Sequence, residues 1–177
     1  KNGFDTTLIS GPTKLKTPEG VKIINITSAE EMYKKTVDAL PVDVAIFTAA
    51  VSDFKSKNIH KNKIKKENFK TLEIEKTTDI LNYTSKHNKL RPKIVIGFAA
   101  ETNNLMENSK KKLVEKNCDW IIANDVSNKK IGFESEYNEV KIIQKNKDTH
   151  ENISYNTKEM IAKTLVEKIS NELKAIG

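Results

Sequence analysis

The sequence holds a single cysteine, Cys118, and a single arginine, Arg91, among its 177 residues. One cysteine cannot form an internal disulfide, and a reducing cytoplasm is the simplest home for such a chain. No apolar run approaches the ~20 residues that span a bilayer, and no charged-then-apolar leader pattern opens the sequence. GxGxxG and GxxxxGK[ST] are both absent, so neither fingerprint supports a dinucleotide or P-loop reading. His60, His87 and His150 have no cysteine or histidine neighbours at zinc-ligand spacing. The net charge of +7 invites a nucleic-acid partner. The near-absence of arginine argues against one, because base-edge and bidentate phosphate recognition favour that side chain. Lysine still suits small anionic ligands, where a point charge is enough.

What is present suits one globular domain spanning 1–177. Apolar residues make up 37% and charged residues 31%, with both signs spread along the chain, which argues against disorder. Residues 7–10 form a short strand ending in Gly11-Pro12. Residues 21–27 are rich in β-branched side chains and read as a strand. Ser28 and Glu31 form a capping box ahead of a helix that carries Met32, Thr36, Ala39 and Leu40. The run at 42–51, broken only by Asp43 and Thr48, reads as a strand covered on both faces. Residues 72–75 form a short strand off the main sheet, and a helix runs from about 78 to 87. Residues 93–99 and 118–123 are further buried strands, separated by an amphipathic helix at 103–117 with Leu105, Met106, Leu113 and Val114. Residues 139–144 form a fourth strand. Asn156 and Glu159 cap the last helix, whose apolar stripe is Met160, Ile161, Leu165, Ile169 and Leu173.

Buried strands alternating with helices predict an α/β fold, a doubly wound, mostly parallel Rossmann-like sheet flanked by helices. Ligands in such sheets sit beyond the carboxyl ends of the strands. The informative segments are therefore those that follow each strand. Asp53 closes the AAVSD segment there. It either caps a turn or accepts hydrogen bonds from a base or ribose, or holds a metal, and the small Ala49 and Ala50 let a ring or phosphate approach the backbone. Lys63, Lys65 and Lys66 lie in a long polar loop at 55–70. They are either a solvated charge run or a flap that brings a cation onto a polyphosphate. Lys112 and Lys116 stand one helical turn apart, a spacing that repels by about 0.2–0.5 kcal/mol unless a polyanion binds. Phe98 is a core residue or a stacking surface. Asn124 could read a substrate amide or carbonyl, and Asp125 could cap the next element. Cys118 reads as buried rather than nucleophilic. Lys1-Asn2-Gly3 reads as a helix C-terminus with Gly3 at the left-handed stop.

The segments SGPTKLKTP, AAVSDF, NKIKK, TDIL, GFAAETNN, KKLVEKNCDWIIANDVS and GFESEYNEV occur in that order. The chain resembles the phosphopantothenate–cysteine ligase domain, often the C-terminal half of a fusion with a flavin-dependent decarboxylase. The resemblance implies a cytoplasmic enzyme of coenzyme A synthesis. With CTP and magnesium it would convert 4′-phosphopantothenate to an acyl-cytidylate, which L-cysteine then opens to release CMP. FMN would belong only to an attached decarboxylase domain. The resemblance places Ala49, Ala50, Asp53, Phe98, Lys112 and Lys116 at the nucleotide and makes Lys63 the catalytic lysine of a KIKK flap. It matches Thr78, Asp79, Ile80 and Leu81 to a PDI segment, with Thr78 where proline is usual. It leaves the metal ligands unassigned and implies a homodimer without nucleic-acid or membrane partners. The family pattern also begins with an upstream strand and an ISNxSSGxMG segment, which the resemblance implies is missing ahead of Lys1. A nicotinamide-dependent oxidoreductase is the alternative on a similar fold, but AAVSD and KIKK have no role there.

Overall fold

The computed structural model describes residues 3–58, 71–127 and 135–177. In chain order its elements are β1 (Thr7–Ser10), β2 (Lys22–Asn25), α1 (Ala29–Ala39), β3 (Val44–Phe47), β4 (Phe54–Ser56), β5 (Ile74–Lys76), α2 (Ile80–Ser85), β6 (Ile94–Glu101), α3 (Leu105–Glu115), β7 (Trp120–Asp125), β8 (Tyr137–Gln144), β9 (His150–Thr157) and α4 (Lys158–Ile176). They fall into two compact units: one comprises 1–4, 40–48 and 81–177, the other 5–39 and 49–80.

The larger unit is built on a five-stranded sheet in the order β3-β6-β7-β8-β9. The pairs β3–β6 and β6–β7 are parallel, because a helix intervenes between β6 and β7 and carries the chain back over the sheet. The pairs β7–β8 and β8–β9 are antiparallel. The short turn at 145–149 allows no other arrangement for β8 and β9. Both faces of β6 and β7 are covered, which is why their sequences are apolar without alternation. Ile94, Ile96, Trp120 and Ile122 face α4 and pack with its Ile161, Leu165 and Ile169. Ala99, Ile121 and Ala123 face the other way, against Leu113 of α3, with Leu81, Leu105 and Met106 around them. Burying one such isoleucine is worth about 1.5–3 kcal/mol. Cys118 is fully buried, as its sequence context predicts.

Within the smaller unit, β1 and β2 pair in parallel and β4 and β5 pair antiparallel. The capping box at the head of α1 forms. Glu31 N donates to Ser28 Oγ at 3.2 Å, and the Glu31 carboxylate takes the Thr27 N–H at 2.7 Å. Those bonds to Thr27 hold the Glu31 carboxyl below its ordinary pKa. Strand β5 stays off the five-stranded sheet, as expected.

Several expectations need correction. Strand β3 is shorter than 42–51 and is not covered on both faces: Ile46 is 49% exposed on an edge strand that pairs only with β6 among the described residues. Val114 is 75% exposed, because it lies off the face that Leu113 presents to the sheet. Met160, in the first turn of α4, is likewise exposed. The cap of α4 is Thr157, the last residue of β9, whose hydroxyl accepts from Met160 N at 3.2 Å, while Asn156 Oδ1 accepts from Thr157 N at 2.8 Å. Helix α2 is shorter than 78–87. The whole of β9 escapes a pattern search because its sequence, HENISYNT, is mostly polar and mostly exposed.

Candidate functional site

In the larger unit the carboxyl ends of β6 and β7 run side by side, with Ala100 opposite Asn124 and Glu101 opposite Asp125. Phe98 is half-buried and packs against the cluster on the α4 face. Its carbonyl oxygen accepts from Lys112 Nζ at 2.7 Å. Two residues singled out separately in the sequence are thus in direct contact. Lys112 occupies the last turn of α3 and Lys116 caps its C-terminus. Asn124 is half-buried at the end of β7. Asp125 is exposed and caps the following turn: its Oδ1 accepts from Ser127 N at 2.8 Å. The Ser127 hydroxyl and backbone N–H hold the Asp125 carboxyl below its ordinary range. Glu101 is tied to α3 by Asn108 Nδ2, which donates to its Oε2 at 3.0 Å.

In the smaller unit Ala49, Ala50 and Asp53 are exposed. The Asp53 carbonyl accepts from Thr77 N at 2.9 Å, and the Thr77 hydroxyl donates to Ser52 O. These bonds place the end of AAVSD beside the start of TDIL, two segments far apart in sequence. Thr78 and Asp79 are exposed and Ile80 is buried. Leu81 returns to the larger unit, where it packs with the α3-face cluster. Lys63, Lys65, Lys66 and His60 lie outside the described residues.

Sequence reading missed two features of this region. Gly97 is one: a Cβ there would lie 2.9 Å from both Leu81 Cδ2 and Ile121 Cδ1. A glycine inside a strand run is a known sign of such close approach. The second is a hydrogen-bonded knot of Ser85, Arg91, Asn117 and Asp119 at the far end of α2 and α3. It carries no motif and could not be read from spacing. Among the described residues no three His, Cys, Asp or Glu side chains converge as a metal site, and no helix is long and apolar enough to cross a membrane.

Comparison with known proteins then narrows the reading. The sequence model of the family described as DNA/pantothenate metabolism flavoprotein C-terminal domain matches residues 1–173. A coenzyme A biosynthesis bifunctional protein CoaBC of Borreliella burgdorferi is 45% identical over 149 residues, covering 82% of this chain and 37% of that protein. The Escherichia coli protein of the same name is 35% identical over 175 residues, covering 96% of this chain and 42% of that one. This chain therefore spans less than half the length of these relatives. Among solved structures, the C-terminal domain of a coenzyme A biosynthesis bifunctional protein CoaBC superposes with a TM-score of 0.76 at 32% identity. That match covers 96% of this chain and 74% of the other.

Proposed function

From the premise that this chain belongs to the DNA/pantothenate metabolism flavoprotein C-terminal domain family, we propose that it is a CTP-dependent phosphopantothenate–cysteine ligase acting in coenzyme A synthesis. The observation that carries the reading is the ordered run of AAVSDF, TDIL, GFAAET and AND, set on strand ends and the segments they meet. Those are the positions where this fold binds ligands.

The chemistry has two steps. The carboxylate of 4′-phosphopantothenate attacks the α-phosphorus of CTP, and pyrophosphate leaves. The amine of L-cysteine then attacks the acyl carbon, CMP leaves with the bonding pair, and the amine gives up its proton. A carboxylate is a poor acylating group, and phosphorylating its oxygen to a mixed anhydride supplies the leaving group. Negative charge grows on the departing pyrophosphate, so fixed cations nearby lower the barrier. Lys63 is assigned that role, with Lys112 and Lys116 on the phosphates. By resemblance Asp53 and Phe98 are each assigned to the cytidine, and Ala49 and Ala50 are small enough to leave room for a ring or phosphate. Thr78, Asp79, Ile80 and Leu81 form the neighbouring nucleotide segment, and Asn124 reads the pantothenate amide. Magnesium would arrive with the triphosphate. With no three-ligand protein cluster among the described residues, its ligands would be phosphate oxygens and water, with at most a carboxylate or two from the chain. The same resemblance points to a homodimer in the cytoplasm, with FMN confined to an attached decarboxylase domain.

The test is pyrophosphate release and amide formation by the full-length protein with 4′-phosphopantothenate, L-cysteine and either CTP or ATP. Release that depends on 4′-phosphopantothenate and favours CTP by at least tenfold is expected, because a site that pairs a cytosine edge leaves groups unpaired against a purine. No release with either nucleotide, together with a thermal shift from NAD, would overturn the reading in favour of an oxidoreductase.

A further inference from the structure

Arg91, the only arginine in the chain, is half-buried and spends its guanidinium on the protein's own acceptors. Nε donates to Ser85 O at 2.8 Å, and one terminal nitrogen donates to Pro92 O at 2.8 Å. The other reaches Asn117 O at 3.1 Å and Asp119 Oδ2 at 2.9 Å. The same Asp119 oxygen accepts from Val95 N at 2.7 Å, which fixes the carboxylate to the start of β6. A planar fork of donors suits this task, and a lysine could not serve four acceptors in one plane.

The knot closes on the end of α3. Cys118 N donates to Leu113 O and Asn117 N to Val114 O, the paired bonds of a Schellman stop, with Asn117 at φ 52°. Glycine is the usual residue in that conformation. Asparagine is retained here with its side chain doubly engaged: Nδ2 donates to Ser85 O at 3.0 Å and Oδ1 accepts from Lys145 Nζ at 2.8 Å. Ser85 completes the link, since its hydroxyl donates to Lys116 O. The last residue of α2 is therefore bonded directly to the residue that caps α3, and Arg91 and Asn117 both hold the Ser85 carbonyl from below.

We propose that Ser85 and Arg91 are positioning residues for nucleotide binding, setting where the end of α3 lies against α2 and so the aim of Lys116, with Lys112 one turn earlier on the same rod. This inference rests on the reading that those lysines contact the nucleotide. Lys116 stands at the anchored end itself, whereas the Lys112 ammonium is held on the Phe98 carbonyl, so a small shift at that end is felt mainly at Lys116.

The experiment is titration calorimetry of CTP into the full-length protein and into Ser85→Ala, Arg91→Lys and Lys116→Ala, singly and with each of the first two combined with the third. Ser85→Ala removes only the hydroxyl and leaves the carbonyl for Arg91. Alanine also favours the helix, so this variant stays folded even if Arg91→Lys does not. Ser85→Ala should weaken CTP binding by roughly fivefold, the ceiling that one ordinary hydrogen bond sets, and Arg91→Lys by more. In the Lys116→Ala background the Ser85→Ala loss should fall to less than twofold. An undiminished fivefold loss in that background would show that Ser85 acts on binding by a route other than Lys116, and unchanged affinity in Ser85→Ala alone would show that the knot serves stability only; either result overturns the proposal. Unchanged CTP affinity in Lys116→Ala alone overturns the reading that Lys116 contacts the nucleotide, and this proposal with it, whereas no CTP binding by the unaltered protein overturns the ligase reading itself.

Discussion

Lys112 sends its ammonium from the last turn of α3 to the Phe98 carbonyl near the end of β6, at 2.7 Å. A half-buried lysine held on a strand-end carbonyl is already close to where this fold receives ligands. Lys112→Met keeps the apolar stem and removes the donor. Its expected cost to stability is about 1 kcal/mol, a melting-temperature loss of about 2–4 °C. Under the ligase reading CTP affinity should fall by about tenfold or more. Calorimetry and thermal melts on the same preparation check both, and intact CTP affinity would leave Lys112 a purely structural residue.

Under the ligase reading, Lys63 would stabilise the charge that grows on the departing pyrophosphate. Lys63→Gln should lower kcat for acyl-cytidylate formation by about a hundredfold while changing CTP affinity much less, since its charge matters most in the transition state. Lys65→Gln and Lys66→Gln serve as controls and should matter less. Single-turnover release of pyrophosphate is the measurement, and an unchanged rate in Lys63→Gln would make it ordinary loop charge.

Gly97 leaves no room for a side chain between Leu81 and Ile121. Gly97→Ala should destabilise by about 1–3 kcal/mol through overpacking. The two obstructing atoms are side-chain methyls rather than backbone, so the clash can be relieved. Gly97→Ala combined with Leu81→Ala should therefore lose less than the sum of the single changes. Chemical denaturation of the four proteins in this cycle decides it, and strict additivity would mean that Leu81 is not what the new methyl meets.

Glu151 of β9 bonds to Lys168 of α4, and that bond is the main cause that holds its carboxyl below the ordinary glutamate value. A depressed folded pKa adds stability that is present above the unfolded pKa of about 4.3 and is lost as pH falls through the folded value. Both side chains are more than one-third exposed, so the effect stays at or below about 1 kcal/mol. The melting-temperature gap between the native protein and Glu151→Gln should be widest near pH 7 and vanish by about pH 3. A gap that persisted at pH 3 would point to packing rather than charge.

Much of the larger unit was legible because its physics is local. Runs such as KIVIGFA and CDWIIA are apolar without alternation, and only strands covered on both faces need that. The cap at Ser28 and Glu31 is a four-residue pattern and formed as read. Strand β9 was not legible: it is a polar edge strand, held by main-chain bonds to β8 rather than by burial. The α4 cap is Thr157 rather than Asn156 because the Asn156 amide oxygen takes the Thr157 N–H, while the Thr157 hydroxyl takes that of Met160.

Composition and pattern by themselves determined the α/β class, the buried strands β6 and β7 and which strand ends carry the candidate residues, because hydrophobic periodicity and capping act over a few neighbours. Only the tertiary structure decided that Lys112 rests on Phe98, that Thr77 joins Asp53 to the TDIL segment, and that Ser85 fastens α2 to Lys116. Those bonds link residues remote along the chain. Whether they form depends on how closely elements approach in space, as Gly97 shows by admitting Leu81 where any larger side chain would hold it off.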